Sequence, residues 1–405
     1  MKSSLVVLAI ALTLCLSRSE SAAKKLIDLI PGLYGGDGII LGTNPAASHH
    51  AHFVFDTAAR INQLNEQIVA EIGVFPFSSS VGGFTFALDA SLGTFVRTTE
   101  TLGPLFAERA QTLGRGKLNV HGSYTFFKYD EFSGDDLGKL QVTARHQPDV
   151  IGLPDVREQF EQDIISINVD LDIRVQIFAM AATYGLTDRL DIGIFVPLVH
   201  VDMEVKSVAQ IIVSPENTLF SGVHFFDPAL ESPNDSASGQ ATGLGDIVLR
   251  AKYLLLKSDM VDIAGEMLVK LATGDEKDFL GTGDTTVRPF LILSRTFSDV
   301  LVRQLTITPH LNIGYEFNLD YDAQNAVEYV VGFDAGTRQF VVASEFIGSH
   351  ELNGDGLGDH ILTASIGVKW NPWKQLLLIT NAQFPLNDAG LRSQLILTFG
   401  AEYSF

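Results

Sequence analysis

Apolar and polar residues alternate along most of the chain after residue 80. This is the pattern of β-strands, because successive side chains of a strand point to opposite faces. In Ile165–Ile177 every odd position is Ile, Val or Leu, and every even position is polar or charged. The pattern predicts about 14 strands, or 12 without the two weakest, which lie within 81–99. The predicted strands cover 81–89, 93–99, 118–127, 165–177, 189–206, 245–257, 263–271, 285–297, 305–317, 326–334, 338–348, 360–370, 375–384 and 393–405.

The lengths of the connections distinguish two all-β architectures. Short connections such as 335–337 and 371–374 alternate with long ones such as 207–244 and 349–359. A Greek-key sandwich gives no reason for this alternation. An antiparallel transmembrane β-barrel of an outer membrane requires it, because its periplasmic turns are short and its outer loops are longer. The alternation therefore favours such a barrel over residues 81–405, with both ends of its wall at the periplasmic rim.

The beginning of the chain predicts export. Lys2 precedes the apolar run Leu5–Leu16, and the small residues Ser21-Ala22-Ala23 provide a cleavage site. We interpret residues 1–23 as a signal peptide, since the run is too short for a membrane-spanning helix. Cys15 lies within it, and the bulky Leu14 before it argues against lipid attachment. The predicted mature chain has no cysteine, which excludes a disulfide.

Residues 24–80 show a different pattern from the predicted barrel. Asp56 can cap a helix, and apolar residues recur at helical spacing over 61–72 before Pro76 ends the pattern. Such a segment could fill the lumen, lie on the periplasmic rim or mediate contacts. We favour a lumen plug, because a barrel of about 14 strands is wide enough to conduct unless it is filled.

Charge and the last residues indicate the partners. The formal charge is −20, and −21 without the signal peptide, which argues against nucleic acid because that function needs clustered Lys and Arg. The last predicted strand carries an apolar face that ends on Tyr403 and Phe405, as expected at an aromatic girdle. It resembles the signal that outer-membrane barrels present to the barrel-assembly machinery. Expected partners are that machinery, outer-membrane lipids and a small-molecule solute.

Several motifs, in this order, resemble a family of outer-membrane proteins named for the MetA-pathway of phenol degradation. The resemblance covers most of residues 50–405 and rests on Gly82–Phe86, Gly103–Ala110, Leu113–Lys117, Ala182–Asp191 with Val196-Pro197, and Gly243–Ile247. It implies a barrel related to transporters of hydrophobic compounds. Asn44, Pro45 and Ala46 also resemble the plug motif of the long-chain fatty-acid transporter family, although the surrounding residues do not follow that family.

Charged residues at alternate strand positions are the candidates for a lumen surface. They could form ion pairs between strands, or produce a transverse field that screens solutes. The candidates are Asp170, Asp172, Arg174, Arg250, Lys252, Glu266, Lys270, Arg288 and His310.

Metal and enzyme chemistry are weighed and not favoured. His49, His50 and His52 lack the fixed spacing of a metal site, and Asn353–Asp359 lacks the closing Glu of a calcium loop. No Gly-x-Ser-x-Gly motif is present, so catalysis and a cofactor are not expected. The sequence predicts a passive channel for small, hydrophobic or aromatic compounds, gated by the N-terminal segment. The alternative is a structural or adhesive barrel that acts through its long outer loops.

Overall fold

The computed structural model describes residues 24–33, 53–55, 65, 68–69, 86–89, 94–97, 102–146, 163–214, 225–226, 233–301, 303–319, 324–352, 360–373 and 375–405. Their fold is all-β, and within these ranges no helix is both long and apolar enough to cross a membrane. Three 3-10 helices are Leu26–Asp28, Leu137–Lys139 and Glu276–Asp278. The strands are β1 (Phe53–Phe55), β2 (Phe86–Asp89), β3 (Thr94–Arg97), β4 (Leu118–Tyr129), β5 (Glu131–Phe132), β6 (Asp135–Asp136), β7 (Leu140–His146), β8 (Ile164–Gly185), β9 (Leu190–Ile212), β10 (Asn234–Leu244), β11 (Ile247–Leu256), β12 (Asp262–Leu271), β13 (Thr286–Ser294), β14 (Thr306–Asn318), β15 (Asn325–Gly336), β16 (Phe340–Leu352), β17 (His360–Trp373), β18 (Leu376–Pro385), β19 (Leu391–Arg392) and β20 (Ile396–Ser404).

Twelve antiparallel strands form a closed barrel. The ring runs β4-β8-β9-β11 and then through β12 to β18 in order, and β20 pairs with β4 to close it. The number of wall strands is the lower of the two predicted values, because β2 and β3, the strands within 81–99, pair with each other in a separate sheet. Closure pairs every wall strand on both sides, so no edge is left in the lipid.

The wall alternates between an apolar outer face and a polar inner face. On β4, Tyr124 and Phe126 are exposed on the outer face, whereas Asn119, His121 and Thr125 are buried inside. Similarly, Phe399 and Tyr403 of β20 point outward, as predicted for the aromatic girdle. An apolar exterior around a polar interior is the arrangement of a transmembrane barrel.

The β8–β9 hairpin rises well above the rest of the wall. β8 has 22 residues and β9 has 23, whereas about 9–11 residues are enough to cross an outer membrane. In its upper half β8 pairs with β7, and the upper half of β9 pairs with β10. The hairpin therefore forms an extension on the side of the long loops, which is the outer side.

The extension reverses the predicted faces of β8. Its Ile and Val residues at odd positions, such as Ile173 and Val175, are fully buried on the inner side, where they pack with Leu26, Leu29 and Ile68 of the N-terminal region. Asp170, Asp172 and Arg174 lie on the outer face, so their assignment to the lumen is corrected. Above the membrane the outer face meets water and is polar.

Candidate functional site

A cavity of about 990 Å³ occupies the upper part of the barrel interior. One side of it is largely apolar and includes Phe127, Tyr129 and Phe195. The other side, on β11 to β15, carries charged residues that include Arg250, Arg288 and Glu316. A solute in this cavity would contact aromatic rings and an ionic wall together.

Residues 102–113, which we call the luminal segment, lie inside the barrel below the cavity. Phe106 and Glu108 of the segment form part of the cavity lining. Its first half packs on the wall, where Leu102, Leu105 and Phe106 form a buried cluster with Val341, Ala343, Leu377 and Ile379. The segment begins against β16 to β18 and ends at the opposite wall.

Glu345 of β16 fixes the first part of the luminal segment. Its buried carboxylate accepts hydrogen bonds from the backbone N–H groups of Leu105 at 2.7 Å and Phe106 at 2.8 Å. Ala107 N–H is a third donor at 3.4 Å. Hydrogen bonds to a buried charge are stronger than neutral ones, at about 1.5–3 kcal/mol each.

Glu108 connects the segment to the charged wall. Its carboxylate contacts Arg250 at 2.9 Å and Lys252 at 3.0 Å, both on β11. Its backbone N–H and carbonyl oxygen bind the side-chain amide of Asn312 at 2.6 and 3.0 Å. Because Lys252 is fully buried, these contacts satisfy a cation that has no water around it.

The second half of the segment reaches the inner rim. Arg109 and Asp334 form a buried ion pair through two nitrogen–oxygen contacts. The backbone N–H of Leu113 donates to Asp191 at 2.9 Å. Thr112 donates to the carbonyl oxygen of Asp188 in the short turn between β8 and β9. The segment thus crosses the lumen from one wall to the other.

Six of the sequence-predicted lumen residues lie on the inner face of the wall: Arg250, Lys252, Glu266, Lys270, Arg288 and His310. Three of them, Arg250, Glu266 and Arg288, belong to two short rows of alternating acidic and basic side chains. Arg250 lies between Glu108 and Glu266, and Arg288 lies between Glu328 at 3.0 Å and Glu316 at 3.9 Å. His310 lies between Asp334 and Glu345, the two acids that hold the luminal segment.

Residues 24–33, which we call the lid, cover the cavity from the outer side. Ile27, Asp28 and Pro31 form part of the cavity lining, and Leu26 and Leu29 pack against Gly239 of β10. Gly239 is required there, because a Cβ atom would lie 2.8 Å from Leu26. The lid also accepts a hydrogen bond from Asn65 at the carbonyl oxygen of Ile27.

An ion pair fastens the lid to the outer loop between β12 and β13. Lys25 contacts Asp275 at 2.8 Å and Asp278 at 2.6 Å. The hydrogen bonds that Lys25 donates to these two carboxylates raise the pKa of Lys25 above its ordinary value. The hydrogen bond from Lys25 in turn lowers the pKa of Asp275. The pair is therefore charged across the whole neutral range.

Two described parts of the N-terminal region lie at opposite rims of the barrel. The lid lies at the outer mouth beside the long loop that contains Asp275. Thr112, at the end of the luminal segment, lies beside the short inner turn that contains Asp188.

Other predicted site residues fall outside the described part of the chain. They are Asn44, Pro45 and Ala46, the histidines His49, His50 and His52, and Asn353–Asp359. Among the described residues, no group of three His, Cys, Asp or Glu side chains could hold a metal ion.

The residues that hold the luminal segment were not identified as a site from the sequence. From the sequence, Glu108, Arg109 and Asp191 stand out only as parts of motifs, and Asp334 and Glu345 do not stand out. The available signal is an acid whose neighbours on the same face of a strand are not charged. Asp334 has Gly332 and Gly336 on either side, and Glu345 has Ala343 and Ile347.

The sequence model of the family named for the MetA-pathway of phenol degradation matches residues 162–394. The chain belongs to this family. The match spans the wall from the start of β8 to β19, so this phenol-degradation family member has an outer-membrane barrel as its main body. A search of curated proteins found no match.

Solved structures similar to this family member are outer-membrane barrels. An outer membrane channel from Pseudomonas putida F1 has a TM-score of 0.43 and 13% identity, over 73% of this chain and 98% of that one. The porin NanC has a TM-score of 0.37 and 8% identity, over 71% and 98%. The toluene transporter TbuX of Ralstonia pickettii has a TM-score of 0.33 and 13% identity, over 72% and 90%.

Proposed function

We propose that the protein is a passive outer-membrane channel for small, hydrophobic or aromatic solutes. The observation that carries this proposal is the cavity of about 990 Å³ inside a closed barrel. This volume lies at the upper end of the range for small-molecule sites, which are about 300–1,000 Å³. The apolar side with Phe127 and Phe195 suits an apolar or aromatic body.

We further propose that the luminal segment is the gate of this channel. It lies between the cavity and the inner rim, so a solute that leaves the cavity inward must pass it. The segment is held at several separate points, among them Glu345, Arg250 with Lys252, Asp334 and Asp191. Several polar contacts that can be exchanged for water suit a movable element better than a continuous apolar core does.

The plug that the sequence predicts for residues 24–80 stays a prediction, because most of that region lies outside the described residues. Of that region, the described residues 24–33 lie at the outer mouth, where we propose a lid above the cavity. A solute from outside would enter past the lid, bind in the cavity, and leave when the luminal segment moves from the wall.

A reversible tether tests the gate. The backbone N–H of Ala110 donates to Ser294 of β13 at 3.1 Å, so cysteines at these two positions are close enough to be joined. The predicted mature chain has no other cysteine. The Ala110→Cys/Ser294→Cys variant in liposomes should pass benzyltrimethylammonium, an aromatic cation that does not cross lipid by itself, slowly when oxidised and should regain the wild-type flux after reduction.

The single variants Ala110→Cys and Ser294→Cys are the matched controls, and their flux should not respond to reductant. If the oxidised double variant passes solute as fast as the reduced one, the luminal segment is not the gate. If the wild-type protein passes no more solute than empty liposomes do, the channel proposal itself is wrong.

A further inference from the structure

We propose that the cavity contains a binding site for a small organic cation, formed by Glu316 and Phe290. The site rests on the proposed channel function, because the cavity is the path that the solute would take. The ligand class is a primary ammonium group attached to an apolar or aromatic body.

Glu316 is a buried carboxylate that faces the cavity and accepts no hydrogen bond from the described residues. It lies on β14, is 9% exposed and forms part of the cavity lining. Among the described residues its nearest cation is Arg288, whose Nε is 3.9 Å away. Arg288 has a shorter contact of 3.0 Å with Glu328, to which it also donates a hydrogen bond. Glu316 is therefore left with acceptor capacity that a ligand ammonium could use.

Phe290 places an aromatic ring beside this carboxylate. Phe290 of β13 is paired with Gly314 of β14, and its ring lies directly over that glycine. A Cβ atom at Gly314 would lie 2.5 Å from one ring carbon and 2.7 Å from another, so a larger residue would displace the ring. Glu316 is two residues from Gly314 on the same face of β14, within reach of the same ligand. A cation near an aromatic face gains about 0.5–2 kcal/mol.

The charges around the site favour a cation. The cations closest to it are Arg288 and Lys270, and Lys270 donates to the Thr282 hydroxyl at 2.7 Å. Lys270 interacts electrostatically with Glu316, Asp246 and Asp284. Two cations therefore face the four acids Glu316, Glu328, Asp246 and Asp284. The whole cavity shows the same excess, with eight acidic and four basic residues in its lining.

The mouth of the cavity extends this excess outward. Asp28 and Glu276 are exposed there, and Asp284 and Glu351 are half-buried. The cation of the lid, Lys25, is already bound by Asp275 and Asp278. An acidic entrance concentrates cations and repels anions. An anionic solute would meet this repulsion at the mouth and again at Glu316, and a neutral solute would lack the ion pair.

Calorimetric titration of the detergent-solubilised mature chain tests the site without requiring conduction. The probes are benzylammonium, benzyl alcohol and benzoate, which share a ring and differ in charge. We expect benzylammonium to bind at least tenfold more tightly than either other compound. Glu316→Gln should weaken benzylammonium binding by about tenfold, and Phe290→Leu should weaken it several-fold.

Asp172→Asn on the outer face removes the same charge outside the lumen and should leave binding unchanged. The proposal is overturned if benzoate or benzyl alcohol binds as tightly as benzylammonium, if no probe binds, or if Glu316→Gln binds like the wild type. If Glu316→Gln fails to fold, the affinities of the wild type for the three probes and of Phe290→Leu for benzylammonium still test the site. If benzylammonium binds but no solute crosses into liposomes through the protein, the channel proposal is wrong and the cation-binding site stands.

Discussion

Glu345 and Leu105, which are far apart in sequence, are joined by a hydrogen bond of 2.7 Å from the Leu105 backbone N–H to the buried carboxylate of Glu345. This contact ties the start of the luminal segment to the middle of a wall strand. The same carboxylate also accepts the N–H of Phe106, so a single side chain orients two successive peptide groups. Glu345 is fully buried, which makes the charge costly unless these donors remain in place.

Substitution of Glu345 should release the start of the luminal segment. Glu345→Gln keeps one acceptor oxygen and replaces the other with a donor that faces Phe106 or Leu105, whereas Glu345→Leu removes both acceptors. We expect proteolysis within residues 102–113 to become faster in the order wild type, Gln, Leu. Limited proteolysis in detergent measures this order. Equal cleavage rates in the three proteins would show that Glu345 does not hold the segment.

The buried pair of Arg109 and Asp334 should behave as a unit. Loss of one partner leaves the other charge buried, which costs about 3–5 kcal/mol. Asp334→Leu and Arg109→Leu should each lower the urea midpoint of unfolding more than the double variant does. A double-mutant cycle measures this coupling. Additive effects of the two substitutions would contradict a direct interaction.

The sequence predicted the wall well, because within the membrane the wall strands bury a polar face inside and expose an apolar face to lipid. Twelve of the predicted strands correspond to β4, β8, β9, β11 to β18 and β20. It failed on Asp170, Asp172 and Arg174, since period-two alternation does not say which face is the inner one. Above the membrane the inner face of β8 is apolar and its outer face is polar, which is the reverse of the wall within the membrane. The alternation itself continues through β8 without interruption.

The luminal segment could not be predicted because it has no periodic pattern. Several of its hydrogen bonds go to partners more than 200 residues away, such as Glu345 and Asn312. Only the adjacent Glu108 and Arg109, in a stretch otherwise rich in apolar residues, indicated a buried charged contact. The residues that bind the segment could not be predicted either. The sequence pattern around an inner acid such as Asp334 is the same whether its carboxylate faces water or the luminal segment.

The ion pair between Lys25 and Asp275 should hold the lid over a wide pH range. The pKa of Asp275 is lowered below its ordinary 3.8, so its contribution is present above that value and lost as the pH falls through the lowered pKa. The pKa of Lys25 is raised, so its contribution is lost only in strong alkali. Spin labels on cysteines at Lys24 and Lys277 should keep one narrow distance from about pH 5 to about pH 9.

The same distance should broaden in acid below the ordinary Asp275 pKa. The variant Gly239→Val provides a comparison without a change of charge, because its side chain would displace Leu26. It should broaden the distance at every pH. If this distance changes near pH 7 in the protein that keeps Gly239, the ion pair of Lys25 and Asp275 does not hold the lid.

The positions of Lys24 beside the outer loops and of Arg189 in the short turn at the other rim predict a difference in their accessibility on cells. A Lys24→Cys variant should react with a membrane-impermeant maleimide on intact cells, because Lys24 is exposed at the outer mouth. Arg189→Cys, in the short turn at the other rim, should react only after the outer membrane is permeabilised. Reaction of both cysteines on intact cells, or of neither, would contradict this topology.

In the proposed channel, solute passes through the lumen and the luminal segment closes it. Single-channel recording in planar bilayers tests it most directly, with residues 105–110 replaced by a Gly/Ser linker of equal length. The replacement removes the Glu108 carboxylate that binds Arg250 and Lys252, the Arg109 guanidinium that binds Asp334, and the apolar side chains of Leu105 and Phe106. It keeps the wall and the backbone N–H groups that donate to Glu345. We predict brief, rare openings for the wild type and a stable, larger conductance for the linker variant. Equal conductance in the two proteins would contradict the account.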